Sequence, residues 1–233
     1  MIPPDWSGWP VYVVAAGQSA PLVVPHIPRG LCKVVAVNRS FELVPWADAL
    51  YAADTGFWTA YAGARAFRGI KLCSENVMAV PSVQPVKIAR ANTGLREMQM
   101  LREPGLIGSG GNSGFQALNW AVQTGGNPVC LVGFDLCGKH WHPDHGPNLR
   151  NPMDWNLRQW ARTLDDQADT LASWGVRVLN LSPMSSLRRF ENAYGRLSYP
   201  SASPLSARSL PPGADAPGLC GDDPIAGAAP DTA

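Results

Sequence analysis

Three of the chain's four histidines fall within one short stretch, Gly138-Lys139-His140-Trp141-His142-Pro143-Asp144-His145-Gly146. Chance clustering explains this poorly, and loops carry function more often than core elements do, so Lys139–Arg150 reads as the working loop. Three imidazoles so spaced allow two kinds of chemistry. A neutral imidazole, with a pKa near 6.5, can take a proton from a hydroxyl at physiological pH, so one of these histidines is a candidate general base while the others position substrate, with Asp135 orienting a histidine. Imidazoles at i and i+2 of an extended segment face one side, so His140 and His142 can also converge on a divalent metal, with His145 and Asp144 or Asp135 completing the ligands. Trp141 can stack on a base or a sugar, and Arg39, Arg150 and Arg158 can meet phosphate as forked donors.

The elements that must position this loop follow from hydrophobic pattern and punctuation. Val11–Ala16 is a nearly continuous apolar run of the kind buried on both faces of a parallel sheet, and it breaks at Gly17-Gln18-Ser19. Lys33–Val37 ends at Asn38-Arg39-Ser40, and Ala49–Ala53 ends at Asp54-Thr55, where either residue can cap a helix running through Tyr61. Lys71–Cys73 and Val86–Ala89 are weaker strands, and Asn92–Gly111 reads as a mobile connection. Asn112 or Ser113 caps a helix that Gly125-Gly126 ends; strand Val129–Val132 then runs into Gly133-Phe134-Asp135. One long helix is predicted from a cap at Asn151, with Pro152 at its first position, to Gly175. A last strand, Val176–Leu179, leads through Asn180-Leu181-Ser182-Pro183 to a short helix near Ser185–Phe190.

Strands alternating with helices specify an α/β fold: a single doubly wound, mostly parallel, Rossmann-like sheet over residues 1–196. Ligands of such sheets lie beyond the carboxyl ends of the strands, where the polar clusters fall. From Leu197 on, Pro, Ala, Ser and Gly dominate, so 197–233 is expected to be a disordered tail.

Composition narrows the partners. Nineteen basic residues balance eighteen acidic ones, which argues against a broad nucleic-acid surface while leaving room for a local anion pocket. No apolar run is long enough to span a bilayer, and the N-terminus lacks a signal-peptide pattern. Cys32, Cys73, Cys130, Cys137 and Cys220 show no CxxC spacing and read as reduced thiols, which suits a cytoplasmic protein. Homo-oligomerisation is left open.

Four segments together resemble the bacterial sialyltransferase-type fold and the related hydroxymethylpterin diphosphokinase-like proteins. They are Val13–Ser19, Val37–Ser40, the Gly111–Gly114 helix start leading to Val132–Asp135, and Leu179–Leu187. The chain also resembles uncharacterised bacteriophage proteins. The first resemblance implies a transferase that moves a glycosyl or related activated group from a nucleotide-activated donor to an acceptor hydroxyl. It implies that Gly17, Gln18, Ser19, Asn38, Arg39 and Asp54 face the nucleotide, that Ser113 and Gly114 meet phosphate at a helix start, and that Asn180, Ser182 and Ser185 complete the pocket. It also implies a histidine base after the Gly-Phe-Asp strand, carried over by position to His142 or His145. The family commonly has asparagine-glycine where this chain has Gln18-Ser19, and an asparagine where it has Asp54, so donor and acceptor stay open.

A second resemblance competes. The spacing H-x-H-x-D-H is similar to the opening signature of metallo-β-lactamase-fold hydrolases, which implies a metal-dependent hydrolase or phosphotransferase. That family's site needs further histidines downstream, and the chain has none after His145. A non-catalytic phage accessory protein that keeps the fold is the third alternative.

Overall fold

The computed structural model describes residues 1–75, 80–89, 97–144, 149 and 151–197. Among them nine strands form one sheet: β1 (Val11–Val14), β2 (Lys33–Val37), β3 (Ala49–Tyr51), β4 (Ile70–Ser74), β5 (Val83–Ala89), β6 (Leu106–Gly108), β7 (Val129–Val132), β8 (Val178–Asn180) and β9 (Glu191–Asn192). The spatial order is β6-β5-β4-β3-β2-β1-β7-β8-β9, and every neighbouring pair is parallel. The doubly wound sheet read from the sequence is therefore the observed one. Its tail, apart from Leu197, lies outside the described residues, as do His145 and Arg150.

Two-residue alternation along the strands feeds two apolar layers. Val13, Val35 and Leu131 pack with α3 (Ser113–Gln123), α4 (Asp154–Asp165) and α5 (Ala168–Ser173), while Val14, Val34, Ala36 and Val132 pack with α1 (Ala20–Val23) and α2 (Thr55–Ala60). Trp120 anchors the first layer and Trp58 the second, each almost wholly buried. At roughly 25 cal/mol per Å² and on the order of 200 Å² per indole, each contributes about 5 kcal/mol of gross burial.

Several expectations need correction. The long helix is two helices, α4 and α5. Met153, not Asn151, is the N-cap, and its N–H donates to the Asn156 side chain at 3.0 Å. The break falls where Gln167 turns inward, accepting from Met100 N at 2.9 Å and donating to Met98 O at 3.2 Å. No helix forms near Ser185–Phe190, because the backbone N–H groups there go elsewhere: Ser186 donates to Asp135 O, and Arg188 and Arg189 donate to the Asp165 carboxylate. The connection expected over Asn92–Gly111 contains β6, which extends the sheet beyond β5. Cys32, Cys73 and Cys130 are free buried thiols, whereas Cys137, half-buried on the loop after β7, is disulfide-bonded. Among the described residues no helix is long and apolar enough to cross a membrane.

Candidate functional site at the strand-order reversal

From β1 the chain winds outward through β2 to β6, then returns to β7 on the other side of β1. Loops leaving β1 and β7 therefore diverge to opposite faces, and the crevice between them is the ligand position of doubly wound sheets. Here the two loops are stitched together. Ala15 N donates to Val132 O (2.8 Å), Gly17 N to Gly133 O (2.9 Å) and Trp141 N to Ala16 O (3.1 Å). Gly17 and His140 form an antiparallel bridge. Only glycine fits at 17, since a Cβ there would lie 2.5 Å from Gly133 O and 2.7 Å from an Asp135 carboxylate oxygen. The histidine loop thus crosses the glycine turn of β1, on the side of the sheet that the sequence pattern requires.

The His140 and His142 rings are neighbours, with centroids 4.8 Å apart and 40° between planes. His142 is buried, and its Nδ1 lies 2.8 Å from Pro143 O. A carbonyl can only accept, so Nδ1 carries the proton and the lone pair sits on Nε2. Burial pushes the His142 pKa below its ordinary value; the Pro143 carbonyl opposes this, Arg39 adds to it, and Glu42 and Asp144 oppose it. The imidazole is accordingly neutral at pH 7. Trp141 meets His142 edge-on, with centroids 5.2 Å apart. Among the described residues no group of three His, Cys, Asp or Glu is placed to hold a metal ion, so the metal-dependent alternative gains nothing from His140, His142 and the exposed Asp144.

Arg39 reaches this cluster from the turn of 3₁₀-helix that follows β2. Its guanidinium lies 5.6 Å from the Trp141 ring and 5.9 Å from the Tyr61 ring. Its Nε and one terminal nitrogen donate to the two Glu42 oxygens at 3.1 and 2.8 Å. Two non-glycine residues at these strand ends adopt left-handed backbone, Asn38 (φ 50°) and Leu136 (φ 52°). For a leucine that is a true outlier, and such strain tends to collect at functional sites.

Several residues expected to touch a ligand instead hold the scaffold. Asp135, fully buried, accepts from Ser19 N at 2.8 Å and from the Ser19 hydroxyl. Burial raises its pKa, and both Ser19 bonds pull it back. It therefore orients Ser19 across the seam between the two loops. Ser182 Oγ accepts from Phe134 N (2.9 Å), Ser185 Oγ donates to Phe134 O (2.6 Å), and Asn180 Oδ1 accepts from Ser182 N (3.0 Å). Ser113 Oγ accepts from Ala53 N (3.2 Å), while the cap of α3 is Asn112, whose side chain accepts from Phe115 N (2.9 Å).

Asp54 lies elsewhere. Together with Ala53, Thr55, Ser74, Ile88, Ser109 and Gln116 it lines a cleft of about 300 Å³ beyond the ends of β3 to β6. Gly17, Asn38 and Asn180 are not among that cleft's lining residues. Glu42 and Tyr61 were missed as site residues. Glu42 was legible as the i, i+3 partner of Arg39; Tyr61 gave no local signal.

The fold and these loops define an α/β protein with a polar, imidazole-bearing crevice at the switch point. No protein-family model and no curated protein matches the chain. Among solved structures, the chain is similar to the sialyltransferase CstII from Campylobacter jejuni, solved with the substrate analogue CMP-3FNeuAc. The identity is 12%, the match covers 79% of this chain and 85% of that one, and the TM-score is 0.46. A likeness of that strength says nothing of what this chain binds.

Proposed function

We propose that the chain is a nucleotide-dependent transferase working at the β1–β7 switch point. The observation that carries this reading is the Gly17–His140 bridge, which brings a pair of neighbouring imidazoles to the glycine turn where such sheets bind nucleotides. In this reading Gly17, Gln18 and Asn38 face the nucleotide. His142 accepts the proton of an acceptor hydroxyl as the acceptor oxygen bonds to the transferred group. The bond to the donor phosphate breaks, and the phosphate leaves with the electron pair. Arg39 and the N–H groups of Ser113 and Gly114, which have no intrahelical acceptor, offset the charge that develops. A neutral buried imidazole supports the base role, because it can accept a proton without first losing one.

The test is a thermal-shift panel of nucleotides and nucleotide sugars on the full chain. A ligand held at 100 times its Kd adds about 2.7 kcal/mol of stability. His142→Asn should keep that shift and lose turnover. A panel in which nothing moves the melting temperature defeats the proposal.

A further inference from the structure

Arg39 lies over the rings of Trp141 and Tyr61, and its hydrogen-bonding fork is already in use. Glu42 occupies it in the geometry a phosphate or carboxylate would adopt, one oxygen on Nε and one on a terminal nitrogen. The pair is only partly exposed, with side-chain accessibilities of 22% and 33%. The Trp141 and Tyr61 rings lie 5.6 and 5.9 Å from the guanidinium. Glu42, by contrast, is held by that one ion pair among the interactions shown. The left-handed Asn38 turns the chain sharply at the end of β2, and so delivers Arg39 to the loop that bears the histidines.

We propose that Glu42 is an internal stand-in for an anionic ligand: a phosphoanion entering the crevice displaces the Glu42 carboxylate from Arg39 and takes over its fork. The exchange is feasible because an i, i+3 pair at a partly exposed position contributes little to stability. A planar fork also loses little freedom on gaining a new partner. The consequence is selectivity. A singly charged or poorly shaped anion does not outcompete an intramolecular carboxylate, whereas a di- or triphosphate group does. The inference rests on the transferase reading only for the identity of the anion as a nucleotide's phosphate; the exchange itself concerns any phosphoanion.

The experiment is calorimetric titration of the full chain with inorganic pyrophosphate, alongside Glu42→Gln, Glu42→Asp, Arg39→Lys and Arg39→Gln, each checked by thermal melting. Removing the competing charge should tighten pyrophosphate binding in Glu42→Gln by up to about fivefold, as loss of a pair of this class allows. Glu42→Asp, too short to reach both nitrogens, should move the same way by less. Arg39→Lys should weaken binding and Arg39→Gln abolish it. Unchanged or weaker binding in Glu42→Gln together with a lower melting temperature would make the pair a strut and overturn the proposal. Absence of pyrophosphate binding in both wild type and Glu42→Gln would also overturn it. If pyrophosphate behaves as expected while no nucleotide binds, the transferase reading fails and the exchange stands.

Discussion

Replacing Asp135 by alanine tests which of two roles its carboxylate plays. Asp135 is fully buried at the end of β7, and its oxygens hold the Ser19 N–H and hydroxyl across the seam between the β1 and β7 loops. Ser19 is fully buried as well, so water cannot replace what alanine removes. Leaving one buried donor unsatisfied costs about 1–3 kcal/mol. Two such donors, less the relief from no longer burying a carboxylate, give a net loss of about 2–4 kcal/mol. A domain of this size melts about 2–4 °C lower per kcal/mol, so the melting temperature should fall by about 5–15 °C. Asparagine keeps one acceptor and should lose less. The pH dependence adds a sign. Because burial raises the folded pKa of Asp135 above its unfolded value, the native state binds the extra proton, and wild-type stability declines as pH rises through the window above about 4. The deficit of Asp135→Asn relative to wild type should therefore shrink from pH 4 upward. A melting temperature within about 2 °C of wild type in Asp135→Ala, with nucleotide-induced stabilisation lost, would refute the scaffold role and restore the ligand or histidine-orienting one.

Three further outcomes follow from the same contacts. Gly17→Ala places a Cβ 2.5 Å from a backbone oxygen, which forces the turn to shift; a loss of about 1–3 kcal/mol by urea denaturation is expected, along with loss of any ligand-induced shift. Ser182→Ala orphans the Phe134 N–H in a buried site and should cost about 1–3 kcal/mol while leaving ligand affinity intact; the reverse pattern would make Ser182 a ligand contact. His142 has a folded pKa below its unfolded one. The unfolded state therefore binds more protons below about pH 6.5, and the stability difference between wild type and His142→Asn should rise with pH up to that point and then level off. A flat difference between pH 5 and 7.5 would show that the imidazole is not desolvated.

What the sequence could and could not reveal follows from where each residue's partners lie. Runs such as Val11–Val14, Lys33–Val37 and Val129–Val132 declare themselves because a strand buried on both faces needs unbroken apolar residues, and that requirement is local. The Asn112 cap and the Gly125 stop are local too. β6 and β9 are only three and two residues long, held by pairing across the sheet, so no periodicity could mark them. The break between α4 and α5 depends on Gln167 finding Met98 and Met100 far away in sequence.

The same distinction explains the site. A serine at a strand end looks identical in sequence whether its hydroxyl faces a ligand or an orphaned backbone group. Strand ends of a parallel sheet expose many such groups, and each must be satisfied when buried. Phe134 alone takes up Ser182 through its N–H and Ser185 through its carbonyl. Ser19 and Asp135 satisfy each other in the same way. Taking away the residues that close the backbone's own account leaves Gln18, Asn38, Arg39, His140, Trp141 and His142 as the groups at the reversal able to meet a ligand. Four of these six lie within one residue of the Gly17–His140 bridge or of Trp141's bond to Ala16. The crevice is thus built by a close approach of two loops that glycine permits, and its side-chain chemistry falls to the few residues that this approach gathers.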